Sequence, residues 1–286
     1  MAEKTHRGSS AQKIEQEKIK ENMKKIFHKF LIISGKGGVG KTTVATNLAF
    51  SLALQDKKVG LLDIDIHGPN IAKMVGAEGK KLAVLPDGKI EPIFVPPGVR
   101  VVSISPLLKN ADTPVIWRGP LKMKLITQFL SDVEWGNLDY LIIDSPPGTG
   151  DEPLSIAQLI PDLTGAIIVT TPQEVALLDS RKAVNFARAV NIPIIGIIEN
   201  MSGLTCPYCG REIQLFKKGG GEKAAKELNV PFLGRLPLDP HIVISGDEGK
   251  PFVMNRGKNF GLEYMDKIIN AILERIGEKV KKEKLL

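Results

Sequence analysis

The chain carries the stretch Gly35-Lys36-Gly37-Gly38-Val39-Gly40-Lys41-Thr42-Thr43, and this stretch decides its fold. The phosphate-loop pattern G-x-x-x-x-G-K-S/T is met by four of these residues, Gly35, Gly40, Lys41 and Thr42. Glycines let backbone N–H groups close around a phosphate. In such a loop Lys41 would reach the β- and γ-phosphates, and the Thr42 hydroxyl would contact Mg²⁺. We therefore predict a nucleotide-binding loop that spans residues 35–43 and has an additional lysine, Lys36.

The residues on both sides of this loop fit a strand–loop–helix unit. Residues 29–34 form a short apolar run that is typical of a buried strand. One face of a following helix is marked by Val44, Ala45, Leu48, Ala49 and Leu52. A helix in this position directs the positive end of its dipole at the phosphates, so the context supports the motif.

Apolar runs and helical patterns alternate from Lys29 onward. The predicted strands are 29–34, 58–63, 100–104, 138–144, 165–170, 193–199 and 231–235. The predicted helices are 41–55, 69–76, 119–132, 151–160, 174–190, 220–228 and 258–276. This alternation predicts an α/β fold with a doubly wound, mostly parallel sheet and helices on both faces, the arrangement of P-loop NTPases. Ligands then bind at the carboxyl ends of the strands.

We divide the chain into three parts. Residues 1–28 are rich in Lys, Glu and Gln and are expected to form a basic extension that is partly disordered or helical. Residues 29–276 are expected to form one P-loop ATPase domain that carries a C-x-x-C insertion, and residues 277–286 a basic tail. Within the domain, the Pro- and Gly-rich residues 77–99 indicate a surface insertion, such as a small hairpin.

The net charge of +7 lies mostly at the two ends of the chain. Residues 1–28 hold seven basic and four acidic side chains, residues 271–286 hold five and three, and the remaining body is only +2. This distribution argues against nucleic acid as a partner. No apolar stretch approaches the roughly 18 residues that span a membrane, and there is no signal peptide. We expect a cytoplasmic protein without stable membrane insertion.

Aspartates follow two of the predicted strands. Asp63 and Asp65 leave the second strand, where carboxylates near a phosphate loop can hold Mg²⁺ through water or orient an attacking water. Asp144 ends a later strand as a Walker-B aspartate does, and its Gly148-Thr149-Gly150 turn is suited to sensing a γ-phosphate. Ordinary turns, with an N-cap at Asp151, would explain the same residues. The phosphate loop favours the functional interpretation.

Three further residues are candidates for the base end of a nucleotide. Asn200 closes the sixth predicted strand, and Pro237 and Asp239 follow the seventh. An amide can pair with the edge of adenine, but asparagine at a strand end is also a routine turn residue. Both interpretations of these positions stay open.

The sequence contains two cysteines, Cys206 and Cys209. A four-iron, four-sulfur cluster usually takes four thiolates, and a tetrahedral Zn²⁺ takes four ligands, whereas each chain supplies two. Two chains related by a two-fold axis would supply four sulfurs, so the count predicts a bridged cluster in a homodimer. A shared structural zinc and disulfide chemistry of the thioredoxin type remain as alternatives.

Several separate motifs carry a family resemblance. Residues 35–42 look like the deviant Walker A loop of the MinD/ParA/nitrogenase-iron-protein superfamily. Within that superfamily, four segments resemble the Mrp/ApbC iron–sulfur cluster carrier ATPases: Asp63-Ile64-Asp65-Ile66-His67-Gly68-Pro69-Asn70, Trp117-Arg118-Gly119-Pro120, Asp144-Ser145-Pro146-Pro147-Gly148-Thr149-Gly150-Asp151, and Asn200-Met201-Ser202-Gly203 through Cys206-Pro207-Tyr208-Cys209. The match covers about residues 29–250.

The resemblance implies a homodimeric ATPase that uses ATP and Mg²⁺ and carries an iron–sulfur cluster, of the 4Fe–4S type, to recipient apo-proteins. It implies that Lys36 reaches the other subunit's nucleotide, that Asp65 acts on the hydrolytic water, and that Asp144 supports Mg²⁺ through water. Lys41 is the fourth catalytic candidate, beside these three residues. Some relatives have an additional N-terminal cysteine cluster, which this chain lacks. A second cluster bound there is therefore excluded.

Two other functions compete with the cluster carrier. A positioning ATPase of the MinD/ParA type would act as a switch on a membrane or DNA, and the basic helical pattern of residues 258–286 would suit a membrane contact. A zinc-bridged structural dimer would use the cysteines without transfer. The cysteine pair favours the carrier, because a positioning switch does not need it.

Overall fold

The computed structural model describes residues 3–66, 68–104, 119–206, 208–209, 211–213, 215–255 and 260–278, without the side chains of residues 3–12, Thr205 and Phe260. His67, the Trp117-Arg118 half of one motif, and the tail beyond Glu278 lie outside these ranges. Among the described helices, none combines the length and the apolar character that a membrane span needs.

The described chain alternates strands and helices. The strands are β1 (Ile26–Ile33), β2 (Val59–Asp63), β3 (Ala83–Val84), β4 (Ile90–Glu91), β5 (Ile93–Val95), β6 (Val99–Val102), β7 (Leu138–Asp144), β8 (Gly165–Thr170), β9 (Ile194–Glu199), β10 (Leu204–Thr205), β11 (Glu212–Ile213) and β12 (Phe232–Arg235). The helices are α1 (Glu3–Met23), α2 (Lys41–Ala53), α3 (Ile71–Met74), α4 (Gly119–Ser131), α5 (Asp151–Leu159), α6 (Glu174–Ala189), α7 (Gly220–Glu227), α8 (Pro240–Asp247) and α9 (Phe260–Arg275). A short 3-10 helix covers Phe252–Met254.

The main sheet has eight strands in the order β12-β9-β8-β1-β7-β2-β6-β5. Every neighbouring pair is parallel except β5 with β6, which is antiparallel. The strand β1 lies in the interior of the sheet, where Phe30 is in register with Ile142 of β7 and Gly165 of β8. The predicted mostly parallel sheet is confirmed, and its parallel neighbours bring their carboxyl ends to one edge, where ligands are expected to bind.

Helices cover both faces of this sheet, which confirms the doubly wound arrangement. On one face Phe30 and Ile32 of β1 belong to a core that also contains Leu48 of α2 and Met265 of α9. On the other face Leu31 and Ile33 pack in a second core, with Ile126 of α4 and Val184 of α6. Because neighbouring strand residues point to opposite faces, a strand buried on both sides has a continuous apolar sequence.

All seven predicted strands are present, but helix α8 was not predicted. Its sequence, PHIVISGD, is short, contains β-branched residues, and leaves Val243 and Ile244 exposed, so it has little helical periodicity. The helix begins where the Asp239 carboxylate accepts a hydrogen bond from the His241 backbone N–H at 2.8 Å. Pro240 at its first position adds a fixed φ that suits a helix start.

The C-terminal part of α1 packs against α4. Ile19 and Met23 are buried in the core on that face of the sheet. Asn22 is buried as well, and its Nδ2 donates hydrogen bonds to the Leu130 carbonyl at 2.9 Å and the Val133 carbonyl at 2.8 Å. Carbonyls at a helix end have no partner within the helix, so the Asn22 amide supplies one for α4 and for the turn after it.

We expect Asn22→Ala to lower the free energy of unfolding by about 1–3 kcal/mol, since it removes a buried donor from the Leu130 carbonyl and one of two donors from the Val133 carbonyl. Urea denaturation measures this change. The matched control is Glu17→Ala on an exposed position of the same helix, which should stay within about 0.5 kcal/mol of the native protein. Equal stability of the two variants would show that α1 contributes nothing through this contact.

Candidate nucleotide site and cysteine pair

The phosphate loop connects the interior strand β1 to helix α2. Gly40 precedes the helix with φ 78°, and the helix begins at Lys41. The Val44 N–H donates to the Gly40 carbonyl at 3.0 Å, which closes the first turn. The loop therefore lies at the carboxyl edge of the sheet and directly before a helix N-terminus, as the sequence predicted.

Lys41 and Thr42 both contact Asp144, the last residue of β7. Lys41 Nζ lies 2.5 Å from Asp144 Oδ1, and Thr42 Oγ1 donates to Asp144 Oδ2 at 2.7 Å. The side chain of Lys41 is 6% exposed and that of Asp144 is 0% exposed. Hard divalent cations take oxygen ligands, and Mg²⁺ at phosphate sites is held by few protein groups. The hydroxyl of Thr42 and the carboxylate of Asp144 fit Mg²⁺ in this respect.

Asp63 is buried beside Asp144 on the neighbouring strand. The two residues are in register between β2 and β7. Burial raises the pKa of the Asp63 carboxyl well above its usual range, and the charge of Asp144 acts in the same direction. Ser103 Oγ donates to Asp63 Oδ2 at 3.0 Å, and the Asp65 N–H donates to Oδ1 at 3.0 Å. Asp63 therefore fixes the start of the loop that carries Asp65.

An open cavity of about 410 Å³ lies over the loop. It is lined by most of the predicted set: residues 36–43 together with Asp65, Asn200, Pro237 and Asp239. Asp63 and Asp144 are buried and contact lining residues, while Gly35 precedes the lining part of the loop. The structure thus brings the predicted nucleotide candidates together at one site.

Helices α3 and α8 add lining residues to this cavity that were not predicted from the sequence. Lys73 and Met74 line it from α3, and Ile242, Val243 and Asp247 line it from α8. The first pair lies in a predicted helix that had no recognisable motif. The second group lies in the helix that was not predicted. Proline after an N-cap aspartate at Asp239-Pro240 was the signal that would have located α8.

Asn200 and Asp239 use their polar groups within the protein. Asn200 Nδ2 donates to the Val39 carbonyl in the phosphate loop at 2.9 Å. The carboxylate of Asp239 accepts the His241 N–H at the start of α8. The side-chain nitrogen of Asn200 therefore holds the phosphate loop at Val39. The assignment of both residues to base recognition stays a prediction.

Lys36, the additional lysine of the loop, is half-buried and lines the cavity. Its backbone carbonyl accepts a hydrogen bond from Ser34 Oγ at 2.9 Å. This contact holds the backbone of Lys36 at the end of β1.

The two cysteines lie in the connection between β10 and β11, which form a separate two-stranded sheet. Both thiols are free, and Cys209 is exposed whereas Cys206 is half-buried. The Cys206 N–H donates to the Arg211 carbonyl at 2.9 Å. Hydrogen bonds to the thiol, first from the backbone of Cys209 and then from that of Tyr208, lower the pKa of Cys206. A lowered pKa favours the thiolate, which is the form that binds metals.

Within the residues that the structure describes, no group of three or more His, Cys, Asp and Glu side chains is arranged to hold a metal ion. The ring of Tyr208, between the two cysteines, is 96% exposed. Tyr208 and Cys209 are therefore open to solvent, where a second molecule can approach them, while Cys206 is half-buried.

The fold and the loop define the class of the protein, a P-loop nucleotide-binding protein of the α/β type. The sequence matches the family described as NUBPL iron-transfer P-loop NTPase over residues 25–273. The chain belongs to this family.

Two relatives in sequence share one name. The iron-sulfur cluster carrier protein of Methanocaldococcus jannaschii is 57% identical over 259 residues, which are 91% of this chain and 88% of the relative. That of Saccharolobus solfataricus is 49% identical over 260 residues, or 89% and 87% of the two chains. The chain is thus a member of the iron–sulfur cluster carrier group, as its motifs predicted.

Solved structures agree with this membership. The nucleotide-binding protein from Archaeoglobus fulgidus, in complex with ADP, has a TM-score of 0.74 and 39% identity and covers 84% of this chain and 93% of its own. The cell division ATPase MinD of Pyrococcus furiosus has a TM-score of 0.61 and 25% identity, with 86% and 98% coverage. The chain therefore also shares its fold with an ATPase of the MinD type.

We expect Gly40→Ala to weaken ADP binding at least about tenfold more than Gly38→Ala does. Both glycines have a positive φ, 78° and 77°, so an added Cβ strains both backbones similarly. Only at Gly40 would this Cβ lie 2.1 Å from Asn200 Nδ2, whereas at Gly38 nothing lies within 4 Å. Calorimetric titration with ADP measures the difference. Equal losses of ADP affinity in the two variants would mean that the close approach of Gly40 to Asn200 does not affect nucleotide binding.

Proposed function

We propose that the protein is an ATPase that binds an iron–sulfur cluster between two subunits and transfers it to apo iron–sulfur proteins. One observation carries the proposal: a phosphate loop with the additional Lys36 and an exposed cysteine pair occur together in a member of the cluster-carrier family. A nucleotide switch alone would not need the cysteines, and a zinc-stapled dimer would not need the lysine.

ATP is the proposed nucleotide. The backbone of residues 37–43 would cradle its phosphates, and Lys41 would leave its ion pair with Asp144 to contact the β- and γ-phosphates. Mg²⁺, held by Thr42 and by Asp144 through water, would supply positive charge to the phosphate oxygens. Phosphoryl transfer depends on positioning and charge neutralisation, so these residues provide most of what hydrolysis requires.

Lys36 and Asp65 have the remaining proposed catalytic roles. Asp65 lines the cavity and accepts the Gly68 N–H at 3.3 Å, which holds its carboxylate near the loop. From there it would orient the attacking water. Lys36 would cross a two-fold axis and neutralise charge on the partner subunit's nucleotide. Hydrolysis would then require the homodimer, while binding would not.

The cluster is the cargo of this ATPase rather than a fixed part of it. Each subunit supplies Cys206 and Cys209, so two subunits supply the four thiolates that a 4Fe–4S cluster takes. The exposure of Cys209 and the lowered pKa of Cys206 suit ligands that must bind a cluster and later release it. Apo iron–sulfur proteins in the cytoplasm would be the recipients.

The proposed ATPase domain makes up most of the chain. Residues 29–276 would form most of the ATPase domain, with the cysteine-bearing segment inserted between β9 and α7. Residues 1–28 and 277–286 would flank it, although Ile26 begins β1 and Ile19 and Met23 belong to the core of the domain.

We expect anaerobic reconstitution with iron and sulfide to load about four irons per dimer. Cys206→Ala should lose at least half of that iron, because two of four thiolates are removed. Iron and sulfide assays, together with the mass of the complex, measure both results. The control is Ser180→Ala, a buried site on α6 away from the cysteines. Tight zinc binding without iron uptake would replace the cluster proposal with the zinc-bridged dimer.

We expect Lys36→Ala to reduce ATP turnover about a hundredfold or more, as removal of a transition-state cation does, with little change in ADP affinity. Steady-state phosphate release and calorimetry separate these two effects. Lys20→Ala is the matched control, because it removes an exposed lysine of α1, a helix whose described residues do not line the cavity. Unchanged turnover in Lys36→Ala would contradict its role across the interface.

A further inference from the structure

Glu199, the last residue of β9, is a buried carboxylate that the proposed mechanism does not use. Its side chain is 0% exposed. It accepts three hydrogen bonds, from the Ser202 hydroxyl, from the Gly219 N–H at 2.9 Å, and from the Gly221 N–H. A buried charge is costly unless its oxygens are satisfied, and these three donors satisfy it.

The donors come from both ends of the segment that carries the cysteines. Ser202 lies just before β10, whereas Gly219 and Gly221 lie at the start of α7. The residues between them include the β10–β11 pair with Cys206 and Cys209. The side chain of Glu199 therefore holds the two ends of this segment together through hydrogen bonds. Residues 203–218 are called the cysteine segment below.

The start of helix α7 has a sequence that allows close contact with the Glu199 carboxylate. Helix α7 has no cap from its own Gly219, and the positive end of its dipole faces Glu199. A Cβ on Gly221 would lie 3.0 Å from the Glu199 Cβ and 3.1 Å from its Oε2. Glycine at this position lets the backbone reach the carboxylate, which explains part of the glycine run 219–221.

The next residue along the chain holds the phosphate loop. Asn200 Nδ2 donates to the Val39 carbonyl, and the Asn200 N–H donates to the Thr170 carbonyl at 2.7 Å. Backbone bonds then fix the turn that follows: Ser202 N–H to the Leu236 carbonyl at 2.9 Å, and Leu238 N–H to the Gly203 carbonyl at 2.8 Å. Of these two adjacent side chains, Asn200 thus contacts the nucleotide loop, and Glu199 contacts the residues that flank the cysteine segment at its two ends.

We propose that Glu199 is a positioning residue that fixes the base of the cysteine segment and links its order to nucleotide binding through Asn200. This inference rests on the proposed function for its purpose, because it gives the ATPase site a physical connection to the cargo ligands. A nucleotide that orders Val39 and Asn200 also orders the Glu199 carboxylate. The carboxylate in turn holds Ser202, Gly219 and Gly221.

Hydrogen exchange of the metal-free protein, followed by mass spectrometry, tests the proposal with ADP as the probe. In the native protein, ADP should slow exchange in residues 203–221 at least about threefold, besides slowing it in residues 35–43. Glu199→Gln keeps the shape but places an NH₂ group against backbone N–H donors. We expect it to speed exchange in residues 203–221 about tenfold and to abolish their response to ADP.

Two further results separate positioning from a general loss of stability. In Glu199→Gln, exchange in β7 and the ADP response of residues 35–43 should remain native. The matched control is Glu227→Gln at the last residue of α7. It removes an exposed carboxylate that pairs with Arg181 of α6, and the variant should behave as the native protein does. If Glu199→Gln does not fold, Ser202→Ala removes one donor and should give a smaller change in the same direction.

Native exchange in residues 203–221 of the variant, or an ADP response that persists there, would overturn the proposal. Absence of the ADP response in the native protein would overturn the link to the nucleotide. No iron is present in this experiment, so its outcome is independent of reconstitution. If the protein failed to load iron, the proposed cluster cargo would be wrong. The role of Glu199 in ordering the cysteine segment would still stand.

Discussion

The buried ion pair between Lys41 and Asp144 is the contact on which the nucleotide site depends. It joins the first residue of α2 to the last residue of β7, and Thr42 donates to the second carboxylate oxygen. Removing two charges from water costs several kcal/mol for each ion, which only close geometry and additional hydrogen bonds offset. The chain therefore holds a lysine and a hydroxyl at fixed places in a site of low dielectric, where charges act most strongly on a phosphate.

The parallel sheet adds a second constraint at the same edge. Because β2 and β7 run in parallel and in register, Asp63 and Asp144 end side by side. Their mutual repulsion, added to burial, raises the pKa of Asp63. Ser103 and the backbone of Asp65 stabilise this arrangement with hydrogen bonds. The position of Asp65 thus follows from two buried carboxylates that the fold places together.

The sequence predicted the parts of this molecule whose signals are local. Apolar runs located the seven strands, and the phosphate-loop pattern located the edge where residues 36–43 meet Asp65. Contacts between distant segments left no local signal. Asn22 bonds to carbonyls more than 100 residues away, and Asn200 bonds to Val39 across 161 residues. Helix α8 was missed because its start depends on a cap at Asp239 rather than on apolar periodicity.

Under the proposed function, the end of strand β9 would connect the nucleotide site with the cysteines that bind the cargo. Strand β9 ends at the carboxyl edge of the sheet, where Asn200 meets the phosphate loop and Glu199 meets the start of α7. An insertion after this strand begins at the nucleotide site and returns to the same carboxylate. Under the same proposal, cysteines in that insertion would respond to the nucleotide through a few adjacent contacts. Under the proposed function, Lys36 and the two cysteines each act with the same partner subunit, so one association would assemble both sites.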